Sequence, residues 1–485
     1  MHFLDLGIIL LYLVGVTWFG ASFGKAGRGG QKTLQDYFLG GREAPWWAIG
    51  LSIVSAETST LTIVGTPALA FGGNFAFLQI VLGYLLARVV ISVLLLPQYF
   101  SGQMYTAYEL MQRRFGPNVR KVTAAIFLVT RSLAEGVRVF AISIVISIVL
   151  GTGELASIIV IVCLTLFYTF EGGMTAVIWT DVIQMGMYVL GAGASFFMIL
   201  GKIPGGWPHV AQMASAAGKF QITDFALAPT LAQFFAKPYS FWAGVLGGCF
   251  LTTASHGTDQ LIVQRLLSAK SLADSRRALF ASWVVVFFQF TLFLLIGVLL
   301  WVYYTDNHLP APIPTDRLYP KFIWENMPPG LAGLVMAAIL AAAMANLSAA
   351  LNSLASTTVI DFFRNRASET KLLWIARLAT IAWGVVLVLI GLVASHWGSV
   401  LTSGLSIASV TLGVLLGVFL LGSLTTRPGE SAAITGVIIG TAVILYVKFN
   451  TTIAFTWWVL IGSMATFAGG YAASFVFPQR RVSNG

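Results

Sequence analysis

Thirteen stretches of this chain are apolar over a length that can cross a bilayer: 3–23, 46–72, 75–100, 121–150, 154–170, 175–200, 238–262, 279–304, 330–360, 373–396, 398–423, 431–449 and 453–477. A spanning helix needs roughly 20 such residues. Lipid offers no partner to a backbone N–H or C=O, so the stretches predict helices and an all-α integral membrane protein. Only 9% of the residues are charged, against roughly a quarter in soluble proteins. The net charge of +10 does not point to nucleic acid, because the basic residues sit in short connections between apolar runs. Positive-inside topology accounts for them.

Eighteen of the 28 lysines and arginines fall in connections on one side and six on the other, with Arg88, Arg131, Arg138 and Arg377 inside spans. This bias predicts a multi-pass protein of the cell (inner or plasma) membrane, N-terminus outside and C-terminus cytoplasmic. The first span has a basic stretch after it and none before it, which predicts a retained helix and not a cleaved signal. Cys163 and Cys249 both fall in spans, so neither a disulfide framework nor a zinc site is expected. Beyond Phe477 no signalling domain is expected, and no obligate protein partner is indicated.

The second stretch has a polar middle. Between Trp46 and Gly72 runs Ser55-Ala56-Glu57-Thr58-Ser59-Thr60-Leu61-Thr62, followed by Gly65-Thr66-Pro67. A carboxylate and hydroxyls at that depth are costly unless something polar faces them, and Pro67 removes a helix hydrogen bond. Broken helices with freed carbonyls are how transporters build ion and substrate sites at mid-membrane depth. The interruption is expected at Gly65–Pro67. The seventh stretch carries a matching one, Gly247-Gly248 and Thr252-Thr253 through Ser255-His256-Gly257. Interruptions five spans apart are the pattern of an inverted repeat, although glycine pairs also serve close helix packing.

Arg131, Glu135 and Arg138 share one face of the fourth stretch by their i, i+4, i+7 spacing. Glu135 can neutralise one arginine, leaving one positive charge. That charge could capture a substrate carboxylate, for which a guanidinium is well shaped. The alternative is a structural ion-pair cluster, with Glu57, Asp181 or Arg88 as further members. His256 reads as a satisfied interior histidine, and Trp46 and Trp47 as an interfacial belt. No nucleophile–base pair or acid cluster suggests an enzyme.

Five stretches together resemble the sodium:solute symporter family: DYFLGGREAPWWAIGLSIVSAETSTLTIVGTPALAF at 36–71, TAYELMQRRFG at 106–116, GGMTAVIWTDVIQ at 172–184, GTDQLIVQRLLSAKS at 257–271 and ALNSLASTTVIDFF at 350–363. The family includes carriers for sugars, proline, monocarboxylates, vitamins, iodide and sialic acid. The resemblance implies a LeuT-like fold in which two five-helix inverted repeats surround a central site, about thirteen helices in all. One single-domain transporter would then comprise an extra N-terminal helix at 3–23, repeats at 46–200 and 238–423, and two C-terminal helices at 431–477.

The resemblance also implies a Na⁺ site formed by the carbonyls of Ser55, Thr58 and Ala342 and by a hydroxyl pair. Here that pair falls on Ala345 and Asn346, a departure in which only the Asn346 amide oxygen can coordinate. Ser348 follows a turn later. Glu57 stands where relatives carry Asn or Asp, so it either joins the ion site or pairs with an intramembrane arginine. Asp181 aligns with an acid that in some relatives serves a second sodium or the transport path; its other reading is a helix-packing acid bonded to hydroxyls. Thr62, Gln79, Arg131, Glu135, Arg138 and Ser255 are the candidate substrate residues. Thr62 and Ser255 replace a Gln and a gating Tyr of the sugar-carrying branch, which weakens a sugar assignment.

The expected function is thus Na⁺-coupled symport of a small organic solute, favoured to bear a carboxylate, by alternating access. A proton as coupling ion and a solute sensor that does not transport are the alternatives. One Na⁺ entering at −100 mV gains about 2.3 kcal/mol, and a tenfold gradient adds about 1.4 kcal/mol. A monovalent anion carried with it cancels the electrical part and leaves only about tenfold accumulation, so if the arginine face binds a carboxylate, a second cation near Asp181 and Ser348 would be advantageous.

Overall fold

A computed structural model describes residues 3–25, 39–102, 104, 106–168, 174–225, 230–363, 369–397 and 400–477. The Gly27-Arg28-Gly29-Gly30 connection and basic residues Lys32, Arg364, Arg366, Arg480 and Arg481 lie outside them. The described residues are helical, with no strand. In order the helices are α1 Phe3–Lys25, α2 Trp46–Glu57, α3 Thr60–Gly72, α4 Phe75–Tyr99, α5 Ala107–Phe115, α6 Pro117–Leu150, α7 Glu154–Tyr168, α8 Met174–Gly201, α9 Gly206–Ala216 and α10 Leu231–Ala236. There follow α11 Gly248–Gly257, α12 Gln260–Leu267, α13 Leu272–Asp306, α14 Leu318–Asn326, α15 Leu331–Thr358, α16 Glu369–Ala394, α17 Val400–Leu424, α18 Glu430–Asn450 and α19 Phe455–Val476.

Each apolar stretch coincides with one helix or a broken pair. Among the described residues, seven helices pass a length and hydropathy test for spanning unaided, and α2 with α3 passes as a pair bent by 63°. That bend is the expected interruption, but it lies earlier than Gly65–Pro67. Thr58 is extended (φ −83°, ψ 98°) and ends α2. Pro67 sits inside α3, where its missing N–H costs the ladder one bond without ending the helix.

The second interruption falls at the far end of the expected run, just past Gly257. Gly247 and Gly248 belong to a continuous wide turn and helix, Ala243–Gly257. Their role is close approach. A Cβ at Gly247 would collide with the Thr456 carbonyl oxygen and one at Gly248 would lie 2.5 Å from the Ile80 carbonyl oxygen; in the same seam a Cβ at Gly83 on α4 would lie 2.7 Å from the Gly244 carbonyl oxygen and 2.8 Å from the Cys249 nitrogen. Here the packing alternative holds. The actual break is at Thr258–Asp259, between α11 and α12, and the Asp259 carboxylate caps α12 by accepting from the Leu261 N–H at 2.9 Å.

The helices that hold the site are themselves anchored. Asp5 of α1, buried, accepts from the N–H groups of Gly330 (2.6 Å) and Gly333 (2.9 Å) at the start of α15. A carboxylate at a helix N-terminus satisfies two orphan donors and complements the helix dipole. Helix α13 packs along both α2 and α3 and spans the bend, while α18 and α19 pack on each other and on α17.

Candidate substrate and ion site

The two breaks face one another across one cavity, and a buried polar network gathers around them. At the first, the helix restarts with the Ser59 carbonyl, which accepts from Thr62 N (2.9 Å) and Ile63 N (3.3 Å). The carbonyls of Ser55 and Thr58 are thereby left out of the ladder. Asn346 on α15 fills the gap: its Nδ2 donates to the Ser55 carbonyl at 3.2 Å and to the Thr58 carbonyl at 3.3 Å. The Thr58 hydroxyl is held by Gln289 Nε2 at 2.6 Å, and the same nitrogen reaches the Tyr188 hydroxyl at 3.2 Å. Ala342 and Ala345 lie on α15 with their side chains outside those described, and Ser348 is half-buried on the same helix.

Glu57 and Asp181, like Glu135, have arginine partners. Glu57 Oε2 accepts from Arg88 Nη2 at 2.8 Å and lies 3.1 Å from His256 Nε2. The other ring nitrogen of His256 lies 2.9 Å from the Ser255 hydroxyl, so the histidine is satisfied on both sides. Asp181 on α8 accepts from Ser52 (2.5 Å) and Arg265 Nη2 (2.9 Å) at Oδ2, with the Ser55 hydroxyl 3.5 Å from Oδ1. Arg265 completes the knot by donating through Nε to the Ser52 hydroxyl (2.9 Å) and through Nη1 to the Leu261 carbonyl (2.8 Å).

The arginine face of α6 meets the second break. Arg131 donates to Glu135 at 2.9 Å and to Asp259 at 2.7 Å, and Arg138 pairs with the same Glu135 oxygen. Asp259 therefore caps a helix with one oxygen and neutralises an arginine with the other. The spare positive charge expected from sequence is matched by this second carboxylate. Ion pairs at such depth are tolerable only when compensated in this way.

Between the breaks, α6 and α17 lies a cavity of about 140 Å³. Its polar lining includes Glu57, Ser59, Thr62, Thr130, Arg131, Arg138, Thr252, Ser255, His256 and Asp259, and its apolar walls include Phe77, Phe290 and Leu405. Thr62, Arg131, Arg138 and Ser255 are thus brought together, with Glu135 buried behind the arginines. Gln79 is elsewhere. Its amide donates to the carbonyls of Ala76 and Tyr239, each at 3.1 Å, and accepts from Asp224 N at 3.0 Å, stapling α4 to the segment that holds Asp224 and Tyr239.

Four residues of the site escaped the sequence reading. Asp259 appears in the sequence reading only within the 257–271 stretch, and Arg265 only as one more basic residue of a connection, yet Arg265 is 2% exposed. Ser52 and Gln289 carried no signal beyond being polar within apolar runs, which is itself a usable one.

The model of the sodium:solute symporter family matches residues 37–440. The chain belongs to that family. It is 28% identical to the sodium/sialic acid symporter SiaT of Proteus mirabilis (strain HI4320), over 99% of this chain and 97% of that protein. It is 28% identical to the human sodium/iodide cotransporter over 93% of this chain and 70% of that protein. A solved structure of a Na⁺-coupled sialic acid symporter, substrate-bound and outward-open, superposes with a TM-score of 0.84 at 27% identity, covering 99% of this chain and all of that one.

The fold is accordingly the LeuT-like symporter bundle. The chain is a multi-pass membrane transporter, not an enzyme, and carries a solute by sodium-coupled symport.

Proposed function

We propose that this symporter carries a monovalent organic anion, a carboxylate, and holds it in the central cavity against Arg138. The observation that carries the reading is the exposure of that guanidinium. Arg138 is 18% exposed, against 6% for Arg131, 1% for Glu135 and 12% for Asp259. It is the member of the buried network that opens most onto the cavity, beside the hydroxyls of Ser59, Thr62, Thr130, Thr252 and Ser255. Sialic acid and iodide, named for two relatives, are both monovalent anions. A guanidinium fork suits the carboxylate. The volume of about 140 Å³ approaches the roughly 150 Å³ of a cavity that binds benzene, which favours a compact solute.

The coupling ion enters this reading at the first break, where Ser55, Thr58 and Ala342 offer backbone oxygens and Asn346 and Ser348 side-chain oxygens. Glu57 and Asp181, paired with Arg88 and Arg265, then set the local charge and do not ligate in this arrangement. We place the chain in the cell membrane with thirteen spans, N-terminus outside and C-terminus cytoplasmic. It divides as the helix at 3–23, repeats at 46–200 and 238–423, and two helices at 431–477. The excess of basic residues in alternate connections supports that orientation.

Purified protein tests the assignment. Thermal-shift screening of short monocarboxylates, sialic acid, amino acids and sugars, each in NaCl and in choline chloride, should give carboxylate hits that require sodium. The best hit should then accumulate in proteoliposomes under an inward sodium gradient, and Arg138→Gln should abolish its binding. Sodium-dependent stabilisation by neutral sugars alone would refute the carboxylate assignment.

A further inference from the structure

The donor set at the first break disagrees with a simple sodium site. Two carbonyls freed from one helix converge on a single point deep in the protein, and that point is held by the Asn346 amide nitrogen. Asn346 is 5% exposed. The orientation of its amide follows from chemistry: an oxygen turned toward Ser55 and Thr58 would set three acceptors against each other with no donor or cation among them. A cation of sodium's size takes oxygens at roughly 2.3–2.6 Å, the range of similar-sized calcium. It cannot share that point with an NH₂ group whose two protons already satisfy both carbonyls.

We infer that the Asn346 amide is a built-in stand-in for the coupling ion. Sodium binds at the break only by displacing the amide or turning its oxygen inward, so Asn346 weakens the apparent sodium affinity. The cation-free site is then stable without water or ion, since its freed carbonyls are never left unpaired. The inference rests on sodium coupling and adds to it a residue that sets the working sodium range.

The test uses full-length protein in detergent without organic solute, with stability followed against NaCl at constant ionic strength in choline chloride. Asn346→Ser removes the bridging amide and supplies a hydroxyl oxygen. Its half-saturating sodium concentration should fall about tenfold relative to wild type, the equivalent of two modest hydrogen bonds no longer competing. Asn346→Asp, which cannot donate when ionised, should be destabilised in choline and rescued by sodium.

An unchanged or raised half-saturation in Asn346→Ser overturns the inference, as does Asn346→Asp equally stable in both salts. If Asn346→Ser is too unstable to purify, recovery in sodium but not in choline supports the inference, and loss in both refutes it. Sodium-driven uptake by wild type is a separate readout, so either idea can fail alone.

Discussion

The Asp181–Arg265 pair offers the sharpest quantitative test. Asp181 belongs to α8, Arg265 to α12 and the bridging Ser52 to α2, so one knot ties three helices around the site. The two charged side chains are 3% and 2% exposed. Removing one member strands the other charge away from water, which costs about 3–5 kcal/mol. Asp181→Asn should fall near the lower end, because Arg265 keeps the Ser52 hydroxyl and the Leu261 carbonyl. Arg265→Met leaves the carboxylate only the two serine hydroxyls, at 2.5 and 3.5 Å. Combining Asp181→Asn with Arg265→Met removes both charges and should cost less than the two singles added, with a coupling of about 2 kcal/mol or more. Thermal scans at one fixed rate, in detergent and in choline chloride, read these differences while holding irreversibility constant. Singles that each cost under about 1 kcal/mol, or a double that is merely additive, would refute the buried-knot reasoning. If Asp181 instead ligated an ion, Asp181→Asn would lose sodium-dependent stabilisation and Arg265→Met would keep it.

Other consequences are directly measurable. Lys219 donates to the Phe71 carbonyl at 2.7 Å and lies 4.8 Å from the Trp301 ring, clamping the C-terminal end of α3 to the connection after α9. Lys219→Met should lower stability by about 1–2 kcal/mol, and a neutral result in thermal unfolding would dismiss the clamp. Gly83→Val places methyl groups into the backbone of the Ala243–Gly247 turn and should cost about 3 kcal/mol or more; expression near wild type would show that α4 is not so tightly seated. Single cysteines introduced at Lys202 and at Arg277 in a background lacking Cys163 and Cys249 should label from opposite sides of the membrane, Lys202 from outside. Labelling of both from one side would overturn the orientation.

The sequence revealed the helices far better than the breaks. Apolar stretches were legible because lipid imposes their length and allows no alternative backbone structure. The first break was misplaced because glycine and proline are strong local punctuation and drew the reading to Gly65–Pro67; the second was drawn too broadly, from Gly247–Gly248 through Ser255-His256-Gly257, and the chain breaks just past its end at Thr258–Asp259. Pro67 is accommodated inside α3, whereas Thr58 is pulled straight where Glu57, Thr58 and the Ser55 carbonyl all find partners on other helices. Tertiary partners, not local propensity, decide where this chain unwinds. For the same reason Glu57, Asp181 and Arg131 could be recognised as needing counter-charges, but Arg88, Arg265 and Asp259 could not be assigned to them. The partners lie from 31 to 128 residues away.

Charge accounting across the two breaks links the site to its energetics. Arg88, Arg131, Arg138 and Arg265 face Glu57, Glu135, Asp181 and Asp259 in contacts shared within this set. Four guanidinium charges thus meet four carboxylates, and the arginine–carboxylate pairs of the described site balance. A lone carboxylate entering such a low-dielectric cavity would be uncompensated and strongly disfavoured. A carboxylate accompanied by one sodium leaves the balance intact, whereas a second sodium would add an unmatched positive charge. One-to-one, electroneutral symport is therefore the stoichiometry this arrangement favours. Uptake into proteoliposomes should then be indifferent to a valinomycin-imposed potassium potential, and accumulation should follow the sodium concentration ratio alone. Uptake that rises steeply with an inside-negative potential would mean that an additional cation crosses, and that a ninth charge exists somewhere along its path.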